Sequence, residues 1–214
     1  MKSLEIKNLN KFYGNRNIIN DLSFDIDKNE IVALIGKSGS GKSTILNMIG
    51  LLETIDSGEI KIKSQILPDI NSKKAMMIRR NTINYLFQTY ALINHKTVLE
   101  NLLISMEYTN LKKSEKLNYI RNTLKDLGID NLIESPVNTL SGGEAQRVSL
   151  ARCILKPGDI ILADEPTGSL DPNMSHTVFD ILFSLRENYD KTILIVTHDM
   201  DLAKNCDRII SLNK

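Results

Sequence analysis

The sequence predicts an α/β fold, in which a parallel sheet is buried on both faces, a smaller antiparallel sheet lies beside it and a helical lobe is inserted. Three observations carry this. Short continuous apolar runs recur at IVALIG (31–36), INYLF (83–87), IILAD (160–164) and TILIVTH (192–198), each ending in small or polar residues. Between the last two, Val178, Ile181, Leu182 and Leu185 fall at i, i+3, i+4 and i+7, which makes a strand, helix, strand crossover. The first thirty residues alternate instead, as in LEIKNL and LSFDI, the pattern of a half-buried antiparallel sheet.

From about residue 89 to 157 the pattern turns helical. TVLENLLISMEY and KLNYIRNTLKDLG mark two helices, the second stopped at Gly128. The expected organisation is a single domain over 1–214, with a core of about 1–88 and 158–214 and a helical subdomain of about 89–157. A chain of 214 residues, 42% of them hydrophobic, can fill one such core. Lys and Arg number 27 against 26 Asp and Glu, a formal charge of +1, so the broad basic field of a nucleic-acid binder is missing and no direct nucleic-acid partner is expected. Cys153 and Cys206 have no metal-ligand spacing and read as reduced core thiols. The start MKSLEIKNLNKFYG has no apolar signal region, and no run approaches the roughly 18 apolar residues that cross a bilayer. The chain is therefore expected to be soluble and intracellular, reaching a membrane only through a partner.

After IVALI come Gly36, Lys37, Ser38, Gly39, Ser40, Gly41, Lys42 and Ser43, then the helical run TILNMIGLL beginning at Thr44. This is G-x-x-x-x-G-K-[ST] in its strand, loop, helix context. Glycines let successive backbone N–H groups converge on phosphate oxygens, and the helix start adds its partial positive charge. Lys42 suits the β and γ phosphates, and the Ser43 hydroxyl suits Mg²⁺.

The strand IILAD delivers Asp164 to the carboxyl edge of the sheet, where a carboxylate can hold hydrated Mg²⁺. Glu165, one residue on, is placed to polarise an attacking water. His198 follows TILIVT to the same edge and is a candidate for holding that water or a phosphate. Gln88, after INYLF, can bind metal or water there. Strand-end histidines and glutamines also have structural uses, so neither residue stands alone.

The stretch LSGGE (140–144) precedes the helical AQRVSLARCIL. Ser141 and Glu144 form a capping box, which accounts for the two ends of the motif. Gly142 and Gly143 are not accounted for by it, since each costs a helix about 1 kcal/mol relative to Ala. Removing both side chains suits a phosphate that approaches the N–H groups closely. One cradle cannot easily use two helix starts so far apart in sequence unless a second copy of the chain supplies one.

In this order, GKSGSGKS, Gln88, LSGGEAQR, IILADE, SLD (169–171) and His198 closely resemble the nucleotide-binding subunit of ATP-binding cassette transporters, a P-loop NTPase fold with a RecA-like core. The resemblance covers the whole chain. It implies that Gly36 to Ser43 is the Walker A loop, Asp164 the Walker B aspartate and Glu165 the catalytic glutamate. Gln88 corresponds to the Q-loop residue, His198 to the switch histidine and Asp171 to the D-loop aspartate that crosses the dimer interface. Ser141, Gly142, Gly143 and Glu144 correspond to the signature that closes over ATP held by the partner subunit, and Tyr13 of KFYG to the aromatic that stacks on adenine. The implied ligands are ATP and Mg²⁺, the metal held by Ser43, Gln88 and Asp164. The implied partners are a second copy, head to tail, and integral membrane permease subunits that hold the chain at the inner face of the cell membrane. DEPTGSLD and the ending at Lys214 look most like the lipoprotein-releasing, macrolide-export and bacteriocin-export branch. The alternative within the same cassette is an ATP-gated mechanotransmission subunit that moves no substrate. A DNA-maintenance ATPase would need long heptads or a CxxC hook, and a GTPase would need Asn-Lys-x-Asp, none of which occurs.

Overall fold

The computed structural model describes residues 1–168 and 172–212. In chain order, these form β1 (Lys2–Tyr13), β2 (Arg16–Asp27), β3 (Ile31–Gly36), α1 (Lys42–Ile49), β4 (Ser57–Ile62) and β5 (Gln65–Ile66). Next come α2 (Lys73–Asn81), β6 (Ile83–Leu86), α3 (Val98–Ser105), α4 (Lys113–Asp126) and α5 (Gly142–Leu155). The chain then follows β7 (Ile160–Asp164), α6 (Pro172–Tyr189), β8 (Thr192–Val196), α7 (Met200–Asn205) and β9 (Arg208–Leu212).

The α/β class expected from the sequence is the one observed. The order β6-β7-β8-β3-β9 makes one sheet, parallel at every pairing, and β2-β1-β4-β5 makes the antiparallel one. The continuous apolar runs have a simple cause. Val32, Leu34, Ile160, Leu162, Leu194 and Val196 face a core shared with α1 and the antiparallel sheet. Their alternate neighbours Ile31, Ile161, Ala163, Ile193 and Ile195 face a second core against α5 and α6. A third cluster, with Val98, Leu102, Ile120, Leu124, Val148 and Ala151, joins α3, α4 and α5.

Several of the described elements go beyond the sequence reading, among them β9, α2 and the β4–β5 hairpin. Strand β9 is an edge strand whose residues are exposed or half-buried, so RIISL shows no continuous apolar run. Helix α2 is an exposed helix capped by Ser72, whose hydroxyl accepts from Ala75 N–H at 3.1 Å. The hairpin joining β4 to β5 turns through Lys63 (φ 50°) and Ser64 (φ 64°), a type I′ geometry made without glycine. Lys63 also reaches across to Asp159 at 2.7 Å, tying the hairpin to the segment before β7.

Ser64 carries a left-handed backbone that costs a non-glycine residue roughly 1–2 kcal/mol, part of which glycine returns through its freer unfolded chain. Ser64→Gly is therefore expected to stabilise the fold by about 0.5–1 kcal/mol. The effect would appear as a higher urea midpoint at unchanged slope, and an unchanged or lower midpoint would show that the turn is unstrained.

Candidate functional site

Four neighbouring strands end at one edge of the parallel sheet, and their exits carry the site. Strand β3 runs into the Gly36–Ser43 loop, β7 ends at Asp164, and Gln88 and His198 lie two residues beyond β6 and β8. The register pairs Asp164 with Val196 and Val196 with Leu34, so these ends lie side by side.

The loop is shaped for an anion. Gly39 and Gly41 have φ of 74° and 95°, the left-handed region open to glycine. A Cβ on Gly41 would stand 2.5 Å from Ile19 Cδ1 and 2.8 Å from Ile18 Cγ2, whereas one on Gly39 would meet nothing within 4 Å, because that side of the loop is open. Gly36 packs under the loop, where a Cβ would lie 2.8 Å from Ser40 Oγ and 3.1 Å from the Leu212 carbonyl of β9. Gly41 also starts α1 without a side-chain cap, and no acid occupies the first turn, so the positive end of the helix is left to a ligand. Lys42 is buried and curls back, its ammonium donating to the carbonyls of Gly36 at 2.9 Å and Lys37 at 3.3 Å. Those loop carbonyls hold a cation that phosphate oxygens could take over.

Beside it, the Ser43 hydroxyl donates to Asp164 Oδ1 at 3.0 Å. Burial pushes the Asp164 carboxyl above its ordinary range, with the Ser43 hydrogen bond pulling it back, Glu165 adding repulsion and Lys42 opposing that. Two hard oxygen donors thus face each other at the foot of the phosphate loop, with Gln88 nearby, a donor set that fits Mg²⁺. Glu165 has φ 46° and is followed by Pro166, a backbone combination that disfavours a helical-region residue. Its N–H donates to the Val196 carbonyl at 2.9 Å, and Gly168 N–H donates to its carbonyl at 3.0 Å. Its Oε2 lies 2.8 Å from His198 Nδ1 and accepts from His198 N–H at 3.3 Å.

A cleft of about 500 Å³ opens over these groups. Ser38, Gly39, Gly41, Lys42, Ser43 and Thr44 line one side, and Gln88, Glu165 and His198 the other. Tyr13 forms its rim, half exposed at 51%. The Tyr13 hydroxyl donates to Glu53, which pushes the phenol above its ordinary range, and the Lys11 ammonium sits 5.5 Å from the ring centroid. Arg16 and Ile18 also line the cleft and were not singled out from sequence, nor was Glu53. The one available signal for Arg16 was the Gly14–Asn15 turn, which returns the chain beside Tyr13.

Ser141, Gly142, Gly143 and Glu144 do not line this cleft. Ser141 caps α5, its N–H donating to Glu144 Oε2 at 2.8 Å, and its hydroxyl, the largest influence, holds the Glu144 carboxyl below its ordinary range. Gly143 has a packing neighbour that the sequence did not suggest. A Cβ there would stand 1.6 Å from Met174 Cε on α6. That atom is the far end of a flexible side chain, so packing accounts for Gly143 only lightly. Asp171 lies outside the described residues.

The two glycines are expected to behave differently. Gly41→Ala meets backbone strain and two isoleucines and should cost about 1–3 kcal/mol of stability. Gly143→Ala displaces one methyl group and gains helix propensity, so it should unfold within about 1 kcal/mol of the unaltered chain. Denaturant unfolding of both separates the cases, and a large loss in Gly143→Ala would make that glycine a packing requirement.

With this geometry in view, comparison with known proteins adds independent evidence. The family model described as ABC transporter matches residues 19–168. The macrolide export ATP-binding/permease protein MacB of Mannheimia succiniciproducens is 39% identical over 216 residues, covering 99% of this chain and 33% of that protein. The chain thus spans about a third of the length of such macrolide-export relatives. The lipoprotein-releasing system ATP-binding protein LolD of Anaplasma marginale is 38% identical, covering 98% of this chain and 95% of its own length. A dimeric structure of a bacterial ABC transporter cassette superposes with a TM-score of 0.88 at 34% identity, covering 97% of this chain and 93% of that one. The same cassette in a post-hydrolysis state bound to ADP and Pi gives 0.88, at 34% identity over 98% of this chain and 94% of that one.

Proposed function

The chain belongs to the ABC transporter family, and from that premise we propose that it binds and hydrolyses ATP to drive a membrane permease, in export. The observation that carries the hydrolytic reading is the Glu165–His198 pair at 2.8 Å, facing the phosphate loop across one cleft. Export is favoured because the relatives named above are a macrolide exporter and a lipoprotein-releasing system.

In this reading the adenine stacks on Tyr13, whose ring is steadied by Glu53. The backbone N–H groups of residues 37–43, Thr44 and the open start of α1 receive the phosphates, and the Lys42 ammonium exchanges two loop carbonyls for phosphate oxygens. Ser43, Asp164 and Gln88 would hold Mg²⁺, which neutralises charge on the phosphate oxygens. Glu165 takes up a proton from water, and His198 keeps its carboxylate aimed. Phosphoryl transfer asks mainly for positioning and charge neutralisation, which suits a site made of N–H groups, one lysine and two acids.

Ser141, Gly142, Gly143 and Glu144 act on the ATP of a second copy, so the working unit is a head-to-tail homodimer with two nucleotides, joined by Asp171 at the interface. ATP then favours the closed dimer through its contacts with both copies, and hydrolysis removes that preference. The folded unit is one cassette, with its core at about 1–88 and 158–214 and its helical part at about 89–157.

Among the described residues no helix is long and apolar enough to cross a membrane, so membrane contact is assigned to permease subunits at the cytoplasmic face. A groove of about 590 Å³ between α2, α3 and α5, lined by Met76, Arg80, Phe87, Ile104 and Tyr108, is the proposed contact. Of the basic residues on α2, Arg79 donates to the carbonyls of Leu51 and Ile70 and is structural. Lys73 and Lys74 are exposed, and Arg80 lies over the Tyr108 ring at 3.8 Å.

Size-exclusion chromatography with light scattering, run on Glu165→Gln with and without ATP·Mg²⁺, tests the proposal. ATP is expected to convert the variant from monomer to dimer while its turnover falls at least about 100-fold below the unaltered chain. A monomer that still hydrolyses ATP would remove Glu165 from the role given to it. Gly143→Ala is expected to keep its fold yet lose most turnover. Replacing Lys73, Lys74 and Arg80 together, with Arg79 retained, should spare ATP hydrolysis and weaken co-purification with the permease, whereas loss of both would mean misfolding.

A further inference from the structure

Gln146 sits one turn into α5 and is 1% exposed, although glutamine is a residue type that mostly faces solvent. Its Nε2 donates to the carbonyl of Pro166 at 2.6 Å, and its Oε1 is buried with no hydrogen-bond partner among the described residues. A core glutamine with half its amide unsatisfied is less stable than an apolar residue of the same volume would be. Its retained bond goes to Pro166, itself buried, the residue immediately after Glu165. Glu165 holds a left-handed backbone at φ 46° in front of that proline, a conformation unfavourable for a non-glycine residue.

We propose that Gln146 is a positioning residue, which holds the Glu165–Pro166 turn in place by anchoring the Pro166 carbonyl to helix α5. Val196 fixes the turn from the sheet side through the Glu165 N–H, and Gln146 fixes it from the helix side. The proposal rests on the ATP-hydrolysing reading of the site, and it adds to that reading a link inside one chain. The helix whose first residues meet the second copy's ATP is bonded, one turn on, to the segment that carries this copy's own glutamate. Closure on one nucleotide therefore bears directly on the carboxylate that acts on the other.

The test uses Gln146→Met, which keeps volume and helix propensity and deletes the donor. Turnover of the unaltered chain is measured first, because its absence would overturn the hydrolytic reading and this role with it. Given turnover, Gln146→Met is expected to lower kcat about tenfold at unchanged KM for ATP, since the lost bond acts on the turn and not on nucleotide binding. In the Glu165→Gln background, Gln146→Met should leave ATP-induced dimerisation intact. Unchanged kcat, or a rise in KM with loss of the ATP-induced dimer, overturns the proposal. Should Gln146→Met fail to fold, Gln146→Glu decides the matter, because its carboxyl regains a donor only when protonated and burial favours that form. Its kcat relative to the unaltered chain must then rise as pH falls, and a flat ratio rejects the positioning role.

Discussion

Asp164 leaves the parallel sheet opposite Val196, and the next residue donates its N–H to the carbonyl of that same Val196 at 2.9 Å. Two adjacent acids are thereby set at the end of a strand whose register is fixed. Sliding β7 by one residue would turn Ile160 and Leu162 from the first core toward the second and bring Ile161 and Ala163 the other way. With both faces sealed, either displacement leaves a mismatch in packing volume on each side of the sheet. The apolar packing on both faces of β7 thus fixes where the two carboxylates leave the sheet.

The two glycine-flanked helix starts are treated in opposite ways by the fold. At α1 the first turn has neither cap nor acid, and Lys42 waits on loop carbonyls. At α5 the first turn is closed on itself by Ser141 and Glu144, whose carboxylate is favoured in its charged form. The first suits a phosphate held within the chain. The second is capped by its own side chains without a ligand, while exposed Gly142 leaves room for close approach.

How much of this could be read from the sequence follows from how each residue is buried. Four strands and the crossover helix were legible because two-sided burial demands continuous apolar runs and one-sided burial demands the 3.6 period. Strand β9 was not, because an edge strand needs neither, although Leu212 closes the floor under Gly36. The turn at Lys63 and Ser64 was illegible for a different reason, since two ordinary residues occupy a backbone region that usually announces itself through glycine or asparagine. The motif residues of the cleft were legible as a set, yet Arg16 and Glu53 were not. Charged residues at hairpin and helix ends look alike whether they face a ligand or solvent. Gly143 was read with a ligand in view, and its neighbour turned out to include Met174.

Helix α5 shows little amphipathic pattern because it has no free face to speak of. Leu150 and Cys153 belong to the core under the parallel sheet, while Val148 and Ala151 belong to the helical cluster with α3 and α4. Its polar residues are used inward as well: Ser149 and Arg152 donate to the Tyr90 carbonyl at 3.1 and 3.0 Å, just beyond Gln88, and Gln146 donates to Pro166. A 14-residue helix is about 20 Å long and stiff on that scale. Anything that moves its first turn must move the Gln88 loop, the Glu165 turn or the packing of two cores. Of these, the two loops carry left-handed non-glycine residues, Tyr90, Ala91 and Glu165, and the cores are close-packed. A displacement of α5 is therefore absorbed first where the backbone is already least favourable, in the turns that follow Gln88 and carry Glu165.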